Sequence, residues 1–306
     1  MKNIWVIADS PEYGYELLSK IASKGDQVTA FVNGDATVAN ECFAYGASTV
    51  NLLPLPKNTT WEQYAKVIAS EGKEVQPELI VVAATRRGKT VAAQVAALLD
   101  VPCITETKAI EIDGDTKLFT RTIYGGLAET ELETSQSVVV SVTPGTFEKE
   151  KAATPENGTV RTIELTEPNN VVIVERKQKE ETSVNLNDAN VVVGVGRGFG
   201  NAENVKLAEE LATTLGGEIG CTRPVAEDFH WVSEERYIGI SGAVIKPNLY
   251  IGAGISGQIQ HMYGVRDSKT IVAIDKNENA PIFKSADYYI VADINEVLPE
   301  LISAVK

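Results

Sequence analysis

The segment with the most potential chemistry reads Leu249-Tyr-Ile-Gly-Ala-Gly-Ile-Ser-Gly-Gln-Ile-Gln-His-Met-Tyr-Gly-Val265. A β-rich run reaches Gly252, turns through Gly254 and Gly257, and enters a helical stretch carrying Gln260 and His261. Such a turn offers backbone N–H groups beside amide and imidazole donors, at the position where open α/β sheets take their ligands. A second glycine turn, Gly194-Val-Gly-Arg-Gly-Phe-Gly200, follows another apolar run and opens a helix with Asn201 as its cap candidate. Glycines there allow close approach, and Arg197 adds a charge that a pyrophosphate could pair bidentately. The dinucleotide fingerprint is missed, because Gly194-x-Gly196 needs a third glycine at 199 and Phe199 stands in its place.

Several other chemistries find no support. Thr85-Arg-Arg-Gly-Lys-Thr90 approaches a P-loop, but Ala83 occupies the position of its first glycine. It reads as a basic helix start, either solvated or turned toward an anion or another subunit. Ser241 and Ser256 lie outside any G-x-S-x-G turn. The only histidines are His230 and His261, and Cys42, Cys103 and Cys221 are far apart without C-x-x-C spacing. Neither a hydrolytic triad, nor a zinc centre, nor a disulfide framework follows. The balance of 28 basic against 42 acidic residues gives a net charge of −14, with the acidic excess on both sides of residue 185. That disfavours nucleic acid and anionic membrane surfaces as partners, since both are bound through Lys and Arg. The N-terminal apolar run ends at Asp9, too short for a signal peptide, and no stretch has the length of a membrane span, so a cytoplasmic protein is expected.

The elements that must position these turns are read from periodicity. Strands are expected at Asn3–Ala8, 27–32, 78–83, 137–142 and 171–175, with helices over 12–24, 35–45, 60–70 and 89–99. In the last of these Val91, Val95, Leu98 and Leu99 share a face, and Pro102 follows. Between Cys103 and Val174 the β-like segments with Gly-Gly and Pro-Gly punctuation read as antiparallel additions to the first sheet. A charged, then Asn/Asp-rich stretch over 176–190 suits an exposed connection and a hinge. After it strands are expected at 191–195, 219–221, 249–252, 270–274 and 288–291, with helices over 202–215 and 295–305. The fold class is α/β in two domains. Residues 1–185 form a parallel-sheet α/β domain with antiparallel additions, and 186–306 a doubly wound nucleotide-binding domain.

At the 249–265 segment the sequence resembles the electron-transfer flavoprotein alpha subunit family, and the resemblance covers nearly the whole chain. Its carriers are LYIGAGISGQIQHMYGVRDSKTIVAID and NAPIFKSADYYIVAD, preceded in order by VGVGRG, GCTRPVAE and RYIGISG. TRRGK and YGGLA look most like the branch serving anaerobic acyl-CoA-type reductions. The resemblance implies an FAD in the C-terminal domain, with Arg197, Thr222 and Arg223 along the cofactor. It places Ile238, Gly239, Ile240 and Ser241 near the flavin ring. Ser256, Gly257, Gln258, Ile259, Gln260 and His261 wrap that ring, while Asp275 and Asp293 serve the ribityl, phosphate or adenosine end. The family usually has Asn where this chain has Asp275. His261 and Arg223 are expected to stabilise negative charge on the reduced ring, and Ser241 to share a hydrogen bond with flavin N5.

The implied function is electron carriage without transformation of a substrate by this chain alone. The implied partners are a beta subunit that closes over the ring, with the N-terminal domain as interface scaffold, and an acyl-CoA dehydrogenase or reductase type flavoenzyme or a quinone oxidoreductase. An NAD-linked Rossmann dehydrogenase and a non-redox nucleotide-binding regulator are the competing readings.

Overall fold

A computed structural model describes residues 3–56, 59–124, 127–152, 158–165, 171, 173–175, 186 and 189–306. The chain divides into two compact units, Met1–Arg176 and Lys177–Lys306. The connection expected around residue 185 falls largely outside the described residues, which omit 176–185.

The first unit begins with β1 (Asn3–Ala8), α1 (Pro11–Ile21), β2 (Gln27–Val32), α2 (Ala36–Ala44) and β3 (Thr49–Leu52). It continues with α3 (Tyr64–Val75), β4 (Leu79–Ala83), α4 (Arg86–Leu99), β5 (Cys103–Asp113), β6 (Thr116–Ile123), β7 (Ala128–Thr134), β8 (Val138–Val142) and β9 (Thr159–Thr162). Its nine-stranded sheet runs β7-β6-β5-β8-β4-β1-β2-β3-β9. Alternate residues of β1 serve opposite layers, as a pleated strand requires. Ile4, Val6 and Ala8 pack with Leu17, Leu18 and Ile21 of α1, whereas Trp5 and Ile7 meet Tyr64 and Ile68 of α3 and Val91 and Val95 of α4. Leu98, expected on the buried face of α4, is instead exposed.

The antiparallel additions are narrower than the sequence suggested. Only β5-β6-β7 is an antiparallel meander; β8 pairs in parallel with both β4 and β5, and β9 in parallel with β3. The physical reason lies in β8 itself: all five residues of Val-Val-Val-Ser-Val are buried, the signature of a strand covered on both faces. Of the strand expected at 171–175, the described residues Val171 and 173–175 are irregular.

The near-P-loop segment is a capped helix start. Thr85 Oγ1 accepts from the Gly88 N–H at 2.9 Å and donates to Asp9 Oδ2 at 2.9 Å. Lys89 pairs with Glu106 at 2.5 Å, while Arg86 and Arg87 are solvated. A second tie crosses the unit from α1, where the buried Glu16 accepts the Gly145 and Phe147 N–H groups at 2.8 and 2.9 Å. Glu16→Ala strands two donors and should lower the unfolding free energy by about 2 kcal/mol. Glu16→Gln, which keeps one acceptor oxygen, should cost less; equal urea midpoints for all three proteins would contradict this.

The second unit contains β10 (Val191–Val195), α5 (Val205–Thr214), β11 (Glu218–Cys221), β12 (Leu249–Ala253), α6 (Ile259–Met262), β13 (Ile271–Asp275), β14 (Tyr288–Val291) and α7 (Ile294–Val305). Its strands are all parallel and ordered β11-β10-β12-β13-β14. Helices α5 and α7 cover one face through Ala208, Leu211, Leu298 and Ile302. The other face is covered by Ile238, Ile245, Val265 and Ile282, packed on Val192, Tyr250 and Ala273. The glycine turn after β10 leads into a short 3-10 turn, Arg197–Phe199, and α5 starts only at Val205. Asn201 therefore closes the preceding turn, accepting the Asn204 N–H, instead of capping α5.

Candidate cofactor cleft

With the strand order running outward in both directions from β10 and β12, the connections leaving these two neighbours diverge to opposite sides, and a crevice opens beyond their carboxyl ends. A cleft of about 780 Å3 lies there, within the roughly 300–1,000 Å3 of small-molecule sites. The two glycine turns form its floor by touching backbone to backbone. Gly196 N–H donates to Ala253 O at 3.0 Å and Gly198 N–H to Gly254 O at 2.9 Å. A Cβ on Gly198 would stand 2.5 Å from Gly254 Cα, and one on Gly196 2.0 Å from Gly254 O. Gly254 also needs φ of +61°, a conformation that suits glycine.

Most residues expected at the site line this cleft. Arg197 enters from the β10 turn; Thr222 and Arg223 follow β11; Ile240 and Ser241 come from the turn after Tyr237. Ser256, Gly257, Gln258, Gln260 and His261 form the wall beyond β12, and Asp275 ends β13. Ile238, Gly239, Ile259 and Asp293 are not among the lining residues. Ile238 is buried behind the wall, Gly239 turns the chain with φ of +152°, Ile259 opens α6 with its side chain half exposed, and Asp293 caps α7 by accepting the Asn295 N–H at 2.9 Å. Sequence reasoning missed Pro224, Tyr237, Ile255 and Lys276, which also line the cleft.

The electrostatics favour an anion with an apolar part. Arg197, Arg223 and Lys276 face one carboxylate, Asp275. Arg223 is tied by its Nε to Glu227 Oε2 at 2.7 Å, so part of its charge is already answered. Asp275 accepts the Asn277 N–H through Oδ1 at 2.8 Å; a turn of this kind uses only an oxygen, which Asn and Asp supply equally. Ser241 Oγ lies 3.2 Å from the Tyr237 phenol oxygen, and Ile240 and Ile255 give apolar wall.

His261, expected as a donor to the flavin, lines the cleft and has partners within the protein on both ring nitrogens. The residue is 6% exposed, with Nε2 2.7 Å from the Tyr250 hydroxyl and Nδ1 3.1 Å from the Ile238 carbonyl oxygen. Burial pushes its pKa down to about 4, only partly opposed by the Ile238 carbonyl. The ring is neutral near pH 7 and both nitrogens are committed within the protein. The same burial drives the Cys221 thiol up to about 12 against the pull of Arg236, and holds the Tyr250 phenol above its usual range.

FAD combines an anionic pyrophosphate, hydroxyls and a large aromatic ring. Close-approach glycine backbone, three cations, one carboxylate and a partly apolar wall suit those three parts in turn. No helix among the described residues is long and apolar enough to cross a membrane.

Comparison with known proteins agrees with this chemistry. Residues 12–168 match the electron transfer flavoprotein domain, and residues 185–266 match the electron transfer flavoprotein FAD-binding domain. A relative from Escherichia coli (strain K12), YdiR, described as a candidate electron transfer flavoprotein subunit, is 38% identical over 99% of this chain and 98% of its own length. Protein FixB of Salmonella typhimurium is 38% identical over 99% of this chain and 97% of its own, and FixB of Escherichia coli O139:H28 is 38% identical over 98% and 97%. Nothing in these matches favours a Rossmann dehydrogenase. The chain belongs to the electron transfer flavoprotein family as an alpha-type subunit, an electron carrier whose second unit is the FAD-binding domain.

Proposed function

We propose that FAD occupies the cleft beyond β10, β12 and β13, and that the chain works as a cytoplasmic heterodimer with a beta-type subunit. In that form it carries electrons from a donor to a flavoenzyme of acyl-CoA dehydrogenase or reductase type, or to a quinone oxidoreductase. The observation that carries the reading is the crevice between diverging connections, floored by glycines whose Cβ atoms would collide and ringed by more cations than carboxylates.

Bound FAD supplies reversible uptake and release of electrons; the chain supplies binding, orientation and local electrostatics. Arg197 and Lys276 hold the pyrophosphate, with the glycine turns admitting it to the backbone. Asp275 accepts from ribose or ribityl hydroxyls through the oxygen its turn leaves open, with Asp293 toward the same end. The cleft-lining members of the 238–241 and 256–261 segments would enclose the ring: Ile240 gives apolar contact, Ser241 and the neighbouring Tyr237 give hydroxyls, and Gln258 and Gln260 give amides. Thr222 and Arg223 flank the cofactor from β11.

The test is to purify the chain with its beta-type subunit and look for non-covalent flavin by absorbance. A well-folded, colourless complex that FAD does not reconstitute would reject the reading. Within it, Arg197→Ala should weaken FAD about tenfold, the worth of one charge-assisted contact to an anion. Unchanged affinity in a fluorescence titration would remove Arg197 from the site.

A further inference from the structure

Tyr237 lines the cleft although it is only 8% exposed, and the chain that follows is folded around its ring. Ala243 N–H donates to Tyr237 O at 2.8 Å and Gly239 N–H to Ala243 O at 3.1 Å, which closes residues 237–243 into a loop. Two glycines of this loop make room for the phenol side chain. A Cβ at Gly239 would stand 2.8 Å from the phenol oxygen, and one at Gly242 2.7 Å from Tyr237 Cδ1. The loop is held to β11 through Ile238 N–H to Cys221 O at 2.9 Å, and to α6 through Ile240 N–H to Gln260 O at 3.0 Å. The phenol oxygen thereby comes to 3.2 Å from Ser241 Oγ, on the exposed, cleft-lining residue of the same loop.

The distance alone leaves open which hydroxyl donates. Their surroundings decide it. A hydroxyl carries one proton and two acceptor lone pairs. If Ser241 donated inward, the phenol proton would need another acceptor within a loop closed around it, while the serine turned only lone pairs to the open cleft. With Tyr237 donating, its buried proton is satisfied and the Ser241 proton points outward. A phenol is also the stronger donor of the two, and an alcohol oxygen the stronger acceptor.

We propose that Tyr237 is a positioning residue of the redox site: its phenol donates to Ser241 Oγ and so presents the Ser241 proton to the cleft, toward flavin N5. The consequence for the flavin rests on the FAD reading above, with Ser241 set against N5; the orientation of the two hydroxyls does not. A hydroxyl that accepts one hydrogen bond is polarised into a better donor of the next. Tyr237 therefore strengthens the Ser241 contact most where N5 is the strongest acceptor, on the ring that has gained negative charge with its first electron. That electron comes from the donor protein, and neither hydroxyl gives up its proton. Removing the phenol hydroxyl should make the first electron harder to add.

The orientation is read by infrared spectroscopy of the full chain without FAD, its tyrosines 13C-labelled at the phenol carbon, as wild type and as Ser241→Ala. The first-electron midpoint is then measured on the FAD-loaded complex with the beta-type subunit, for wild type, Tyr237→Phe, Ser241→Ala and the double variant. One labelled band should sit at the position of a donating phenol in wild type and move in Ser241→Ala. Tyr237→Phe should lower the midpoint, equivalent to about fivefold weaker binding of the one-electron-reduced ring relative to the oxidised one, the worth of one neutral hydrogen bond. In the Ser241→Ala background the same change should have no further effect, because its influence runs through Ser241. A merely structural role for the phenol would not vanish in that background. Labelled bands that are the same in wild type and Ser241→Ala, or that show an accepting phenol, overturn the proposal even if Tyr237→Phe does not fold. So does a loaded Tyr237→Phe complex with the wild-type midpoint, or a shift that persists in full in the double variant. A wild-type complex that binds no FAD rejects the FAD reading and the consequence for the midpoint, and the infrared result then decides the orientation by itself.

Discussion

Gly198→Ala is expected to weaken FAD binding by about a hundredfold or more and to destabilise the second unit by about 1–3 kcal/mol. The backbone at Gly198 has no positive φ, so the cost is one of space, not of conformation. The added methyl carbon would stand 2.5 Å from Gly254 Cα, and its neighbour there is backbone, which cannot rotate away. Relief requires the two turns to separate, breaking the Gly198 N–H to Gly254 O bond and moving both edges of the cleft floor. Backbone donors placed for a bound anion lose much of their value with a shift of even 1 Å. Gly216→Ala is the matched control: its φ is +65° and a Cβ there meets open space, so only conformational strain of about 1–2 kcal/mol follows. Gly216 is remote from the cleft lining, and FAD affinity should hold. Titration of flavin fluorescence and urea unfolding of both variants check the pair; a Gly198→Ala protein that binds as tightly as the Gly216→Ala protein would show that the floor tolerates movement.

How far such contacts could be foreseen depends on the range of the interaction. Strands β1, β2, β10 and β14 appear at the limits their compact β-rich runs suggest. The short strands Thr49–Leu52 and Thr159–Thr162 passed unnoticed. Each is four residues long, and the polar Thr, Asn and Arg among them break any apolar run. Val138–Val142 was seen as a strand, yet its direction was misjudged because it follows a hairpin meander in the chain. Its near-continuous valine run is the sequence signal of a strand covered on both faces. Helix α4 starts three residues earlier than its apolar face implied, because the first turn is made of basic residues and fixed by Thr85. Periodicity does not register a turn that a cap holds.

The site shows the same division. Both glycine turns were legible, since their composition is the signal. Lys276 was not, although its place just beyond a parallel strand, beside Asp275, is where position alone points to a ligand. The Arg223 and Glu227 pair was open to reading as an i,i+4 contact, and it changes how much charge Arg223 brings to the cleft. The partners of His261 lie 11 and 23 residues away. No local pattern says that a histidine at the start of a glycine-bounded helix will have both nitrogens occupied. The parallel pairing of β10 with β12 sets Val192 beside Tyr250 and Gly194 two residues further along the same face, where the phenol oxygen reaches it.

That burial makes stability depend on acid in a defined window. The folded-state pKa of His261 is about 4, while the unfolded chain titrates near the ordinary value of about 6.5. Between these two the unfolded state binds a proton that the folded state refuses, so stability rises with pH there. The contribution is fully present above about pH 6.5, falls as pH drops through the window, and levels off below about pH 4; the whole change is about 3 kcal/mol. His261→Gln removes the titration while retaining a side-chain amide that can donate to the Ile238 carbonyl. Urea unfolding of the full chain should therefore show the stability difference between wild type and variant shrinking by about 1.4 kcal/mol per pH unit as the pH is lowered through the window. Carboxylates elsewhere also titrate as the solution becomes acid, but they are common to both proteins and cancel in the difference. A difference that stays flat from neutral pH to about pH 4.5 would mean that the folded ring accepts its proton as readily as the unfolded one. The Tyr250 and Ile238 contacts would then leave the ring free to carry charge beside the cofactor.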